Sequence, residues 1–152
     1  MSEYRVIIPE EKFAILDFRQ DDLPGIMVVN ESLIGFEPKV VFAWHLSLMI
    51  QFSDLADNGM PTREEREVVD QFGDQLDAEF KGPETEKPNA LFLARITWNE
   101  TRELIYRVFD PEPINQFLME MINRKSYPRP YDFRIDPDEE WKLAQWHLTA
   151  GR

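Results

Sequence analysis

Residues 40–53, VVFAWHLSLMIQFS, decide the fold. The even positions Val40, Phe42, Trp44, Leu46, Leu48, Ile50 and Phe52 are large and apolar, and the odd ones are smaller, polar or flexible. A period of two is what a pleated strand needs to send one set of side chains into a core. The stretch holds no Asp, Glu, Lys or Arg. It predicts a long central strand whose bulky face points into a dry interior.

Downstream, Asn58-Gly59 signals a turn and Pro61 stops the strand. Thr62 and Glu65 have capping-box spacing, and Val68, Val69, Phe72, Leu76 and Phe80 recur at helical intervals. The spacing predicts a helix over 61–80 lying on the sheet, with Arg63, Glu67, Asp70 and Asp74 on its far side. Gly73 weakens that helix by about 1 kcal/mol relative to Ala, and close packing is the expected reason. Residues 90–98 and 101–109 predict two antiparallel strands joined at Asn99-Glu100. Asp110-Pro111-Glu112 reads as an N-cap, a first-turn proline and an acid favoured by the dipole. Ile114, Phe117, Leu118, Met121 and Ile122 form the stripe of that second helix. Residues 131–135 predict a last strand, and Asp136-Pro137-Asp138 a short terminal helix carrying Trp141, Leu143 and Trp146.

Upstream, strands are expected over 13–19 and 25–36, joined by a turn at residues 21–25 in which Pro24 and Gly25 supply the special angles. From the central strand onward the order is strand, helix, strand, strand, helix, strand. That order is the ferredoxin-like split βαβ pattern. The expected fold is α+β: an antiparallel sheet with two helices on one face, two extra N-terminal strands and a short C-terminal helix. At 152 residues the chain is read as a single domain, 1–152.

The chain has 29 acidic and 17 basic residues, a net charge of −12 and no cysteine. Such a field repels a phosphate backbone, so no nucleic acid is expected as a partner. Acidity favours basic partners. The lack of cysteine removes disulfides and thiolate chemistry and suits a reducing, cytoplasmic location. The N-terminus has no run of signal-peptide length, and the central stretch is too short to span a membrane, so no membrane association is expected.

The segment Asn58-Gly-Met-Pro-Thr-Arg-Glu-Glu65, the paired strands 93–97 and 102–106, and the ending Asp136-Pro-Asp-Glu-Glu-Trp141 resemble a bacterial family, domain of unknown function 695. The likeness runs from about residue 25 to residue 148. Ala144 stands where that pattern has an aromatic, and Asn99-Glu100 lacks its glycine. More distantly the chain is similar to the regulator of ribonuclease E activity, type B, a small acidic inhibitor. That likeness implies protein binding without catalysis and carries over no functional residue.

No nucleotide-cradling glycine motif and no serine elbow is present. Counting residues 54–65 as a calcium loop fails at Ala56 and Pro61, so a turn plus cap is the reading. Asp136, Asp138, Glu139 and Glu140 read as the first turn of a helix. His45 and His147 are the only histidines. No catalytic, metal or cofactor residue is assigned. The candidate contact residues are Glu67, Asp70 and Asp74 on the first helix, and Trp141 and Trp146; the tryptophans at 44, 98, 141 and 146 read as core or its edge, and the last two would form an aromatic contact patch if exposed beside Tyr127 and Tyr131. The expected function is a non-enzymatic binding or regulatory module, inhibitor-like or immunity-like, docking a basic protein. The alternative is a small-ligand protein or enzyme with a pocket between sheet and helices that involves His45.

Overall fold

The alternation at the centre of the chain does form a strand, but a shorter one. In a computed structural model, which describes residues 4–150, β3 spans Trp44–Gln51. Leu46, Leu48 and Ile50 are fully buried on one face, with Phe52 just beyond. The first part of the expected strand is instead a 3-10 turn, Lys39–Phe42, with Ala43 in helical conformation. The twist of that turn breaks the period. Val40 points to solvent, 65% exposed, and Phe42 is buried on the opposite face.

Around β3 stand β1 (Phe13–Gln20), β2 (Leu23–Asn30), α1 (Arg63–Lys81), β4 (Ala90–Trp98), β5 (Thr101–Val108), α2 (Pro111–Arg124), β6 (Tyr131–Pro137) and α3 (Gln145–Thr149). The fold is α+β, a six-stranded antiparallel sheet in the order β1-β2-β4-β5-β3-β6 with three helices. β3 is interior, held between β5 and β6.

Both faces of the sheet carry a core. On the helix face, Val69, Phe72, Leu76 and Phe80 of α1 and Ile114, Leu118 and Met121 of α2 pack on Leu46, Leu48, Ile50, Leu104, Tyr106 and Val108. Among the described residues the reverse face has no long helix. Leu33, Phe36 and Phe42 from the crossing segment, and Trp141, Ala144 and Leu148 from the C-terminal segment, close over Val29, Leu91, Leu93 and Ile105. Phe36 stacks on Trp141 at 5.4 Å, and the indole Nε1 donates to the carbonyls of Lys39 and Phe42.

Local chemistry explains the ends. Thr62 Oγ1 caps α1 by accepting from Glu65 N at 3.2 Å. The reciprocal half of the capping box does not form. The Glu65 carboxylate, 1% exposed, accepts instead from Ser53 N and from the Arg129 guanidinium. Asp110 caps α2 by accepting from Glu112 N. The first hairpin turns at Asp21-Asp22, both at positive φ, while Pro24 and Gly25 lie within β2. Gly25 has another role: the Phe18 ring lies over it, 2.2 Å from where a Cβ would stand.

Candidate docking groove

Strands lie about 4.8 Å apart and packed helices about 8–10 Å apart, so one helix covers about two strands. Two helices therefore leave about two of these six strands open. α1 sits over β5 and β4, where Asp77 accepts from the Tyr106 hydroxyl and Asp70 pairs with Arg102 at 2.5 Å. α2 sits over β3 and β6, where the Tyr131 hydroxyl donates to the Leu118 carbonyl. The helix face of β1 and β2 stays open.

That open face is largely apolar. Ile15 is 71% exposed and Phe13 55%, Val28 lies opposite Ile15, and Ile26 lies opposite Asp17. Phe13, Ile15 and Val28 lie in the floor of a groove of about 520 Å³ whose wall is α1, with Asp70, Gly73, Asp74 and Asp77 along it. Arg95 of β4 lies in the floor, opposite Val28. Most charges here are spent on one another: Lys81 on Glu11 and Asp77, Arg102 on Asp70. Asp74 and Arg95 have no ion-pair partner among the described residues. The close packing expected at Gly73 is absent, because nothing lies within 4 Å of where its Cβ would stand.

The remaining candidate contact residues are dispersed. Glu67 is exposed and pairs with Arg63, off the groove. Trp141 is fully buried, so it offers no surface for contact. Trp146 is 60% exposed, yet it stands in α3 against the reverse face. Tyr127 and Tyr131 pack with the helix-face core, so among the described residues these four do not form one exposed aromatic patch.

His45 is 7% exposed on the reverse face. Its Nδ1 stands 3.0 Å from Arg107 Nη1. Arginine can only donate, so Nδ1 is the acceptor and the ring proton sits on Nε2. Burial, then Arg107 and His147, push its pKa down to about 4 against the pull of Asp138 and Asp136. His147, with its ring centroid 6.4 Å away, is also lowered to about 4, by burial, against the backbone carbonyls of Leu143 and Ala144. Arg107 is fully buried. It donates to the Phe42 carbonyl, to the Asp138 carbonyl and carboxylate and to His45, and it lies 4.7 Å from the Trp141 ring centre. Asp138 in turn accepts from Lys142 N and Leu143 N. This cluster clamps the C-terminal segment to the sheet.

The other acids singled out also have local work. Asp136 pairs with Arg134, Glu140 with Lys142, and Asp54 accepts from the Thr62 hydroxyl. A larger cleft, about 940 Å³, lies between residues 5–11 and 82–88 at the C-terminal end of α1, lined by Val6, Ile8, Leu33 and Leu91. It does not include His45, so the pocket of the alternative reading lies elsewhere than expected.

The sequence reading missed the groove and Arg107. One signal was available for each. Residues 13–16, Phe-Ala-Ile-Leu, are apolar on both faces of a strand, and Arg107 falls between Tyr106 and Val108 in an otherwise apolar run.

Among the described residues no helix is long and apolar enough to cross a membrane. Neither curated proteins nor solved structures offer a match to the chain. Residues 16–146, which hold α1, both core-forming faces and most of the open hairpin, match a family of unknown function (DUF695), and the chain belongs to that family.

Proposed function

We propose that this protein is a non-enzymatic docking module, and that the open strip on β1 and β2 receives a segment of a positively charged protein. The observation that carries this reading is an apolar strip, with Phe13, Ile15 and Ile26 exposed and Val28 half-buried, beside a helix wall bearing Asp70, Asp74 and Asp77. Contiguous exposed apolar surface rimmed by charge marks interaction sites. A net charge of −12 steers a basic partner from a distance while the strip holds it. The distant likeness to the ribonuclease E regulator family supports an inhibitory role in the cytoplasm. The ferredoxin-like arrangement belongs to the same reading, supported by the strand order β6-β3-β5-β4 with α1 and α2 as the crossovers.

Affinity capture from the host tests it. A defined partner should bind in about 50 mM salt and weaken in about 500 mM, where charges are screened within a few ångströms. The Ile15→Glu variant should lose it. No partner at either salt, or a partner indifferent to Ile15→Glu, overturns the reading.

A second reading, binding of a small apolar ligand, is supported by the 940 Å³ cleft, a volume within the range of ligand sites. Native mass spectrometry of the purified protein should then show a bound small molecule that Ile8→Asp, at the partly exposed rim of the cleft, releases. A bare mass overturns it.

A further inference from the structure

We infer that the occupant of the groove is an amphipathic α-helix lying alongside α1 as a third helix of the layer, with a lysine or arginine against Asp74 and a carboxylate over Arg95. The inference rests on the docking reading above and adds the shape and charge of the partner. Width comes first. The open hairpin is two strands wide, about 10 Å, which is the breadth one packed helix covers. An added strand would pair at the outer edge of β1 and leave the strip wet, whereas a helix laid on the face buries Phe13, Ile15, Ile26 and Val28 together.

Gly73 is the second observation. A glycine in a helix interior is unfavourable, and this one fills no need of its own chain: the space where its Cβ would stand is empty, and it faces the groove. A missing side chain on a helix flank allows a second helix to approach closely, as small residues do at tight helix crossings. Charge is the third. Of the ionised groups that line the groove, Glu11, Asp70, Asp77, Lys81 and Arg102 are paired with one another, which leaves Asp74 on the wall and Arg95 in the floor. One cation and one anion on the incoming helix would satisfy both.

The test is a display library of helix-length peptides, panned on the whole protein with counter-selection on Gly73→Leu. That variant puts its Cβ in open space and a better helix former at the position, and its longer side chain enters the groove that Gly73 lines. Circular dichroism confirms folding. Enriched peptides should carry apolar residues at i, i+3, i+4 and i+7 with a basic residue on one flank. The best of them, followed by calorimetry, should lose at least about tenfold in affinity to Gly73→Leu and to Ile15→Glu. Asp74→Lys should weaken it too, and a peptide with its facing lysine changed to Glu should restore binding to Asp74→Lys. Enriched peptides with strand periodicity, binding equal on the blocked variant, no enrichment at all, or a self-dimer abolished by Ile15→Glu overturns the inference. If host capture is lost with Ile15→Glu while no helical peptide is selected, docking stands and the helix falls. If capture ignores Ile15→Glu, the docking reading itself falls.

Discussion

Two histidines in the clamp around Arg107 have their pKa lowered to about 4, below the ordinary 6.5, and so stay neutral at neutral pH. Protonating His45 would turn the acceptor of the Arg107 hydrogen bond into a donor facing a cation. Between those two pH values the unfolded chain binds more protons than the folded one. Stability is therefore full above about pH 6.5 and falls as the pH drops toward 4. The loss should be on the order of 2 kcal/mol per histidine, and urea unfolding at several pH values should show His45→Gln with His147→Gln flattening that slope. Glu65 is the other residue whose surroundings set its charge. The hydrogen bond from Arg129 holds its carboxyl below the usual range despite burial. Arg129→Ala leaves that buried carboxylate with only the backbone donors of Ser53 and Asp54, and should cost about 3 kcal/mol in urea unfolding. Glu65→Gln should cost less, since it removes the charge as well as the pair.

Among the elements, the β4–β5 hairpin turns on Asn99 and Glu100, both at positive φ. Such a turn prefers glycine at its second position. Glu100 uses its backbone there, donating to the Gly59 carbonyl and accepting from Phe52 N. Glu100→Gly keeps both bonds and should raise stability by about 0.5–1 kcal/mol, read as a higher Tm. α1 presents the opposite case. Gly73→Ala should stabilise the helix by about 1 kcal/mol, because the added methyl meets nothing. The close approach of a partner helix inferred above expects the same change to weaken binding, a trade of stability against function visible only when both are measured.

For the whole molecule, the two faces of the sheet should answer differently to substitution. Trp141 seals the reverse face, fully buried and held at φ 60 by its stacking on Phe36 and its bonds to Lys39 and Phe42. Trp141→Ala should cost about 3–5 kcal/mol and loosen the C-terminal segment, seen as faster hydrogen exchange at Leu148. Ile15→Glu on the bare strip should change stability by less than about 0.5 kcal/mol while abolishing partner capture.

How far the chain itself foretold this depends on how local each cause is. Side-chain periodicity, the Thr62 and Asp110 caps and the prolines determined the strands, both long helices and their order, because each acts within a few residues. Composition determined the acidity and the absence of thiol chemistry. Tertiary packing alone decided the rest. Val40 and Phe42 left the strand because the reverse face needed a cover from that segment. Glu65 abandoned its own cap for Arg129, a residue 64 positions away. Trp141 and Trp146, five residues apart, were parted when one was drawn into the core and the other left exposed. The bare hairpin was hidden most deeply, since a strand apolar on both sides does not say which side its own chain will cover. That depends on the breadth of two helices against six strands, a comparison that exists only once the sheet has assembled.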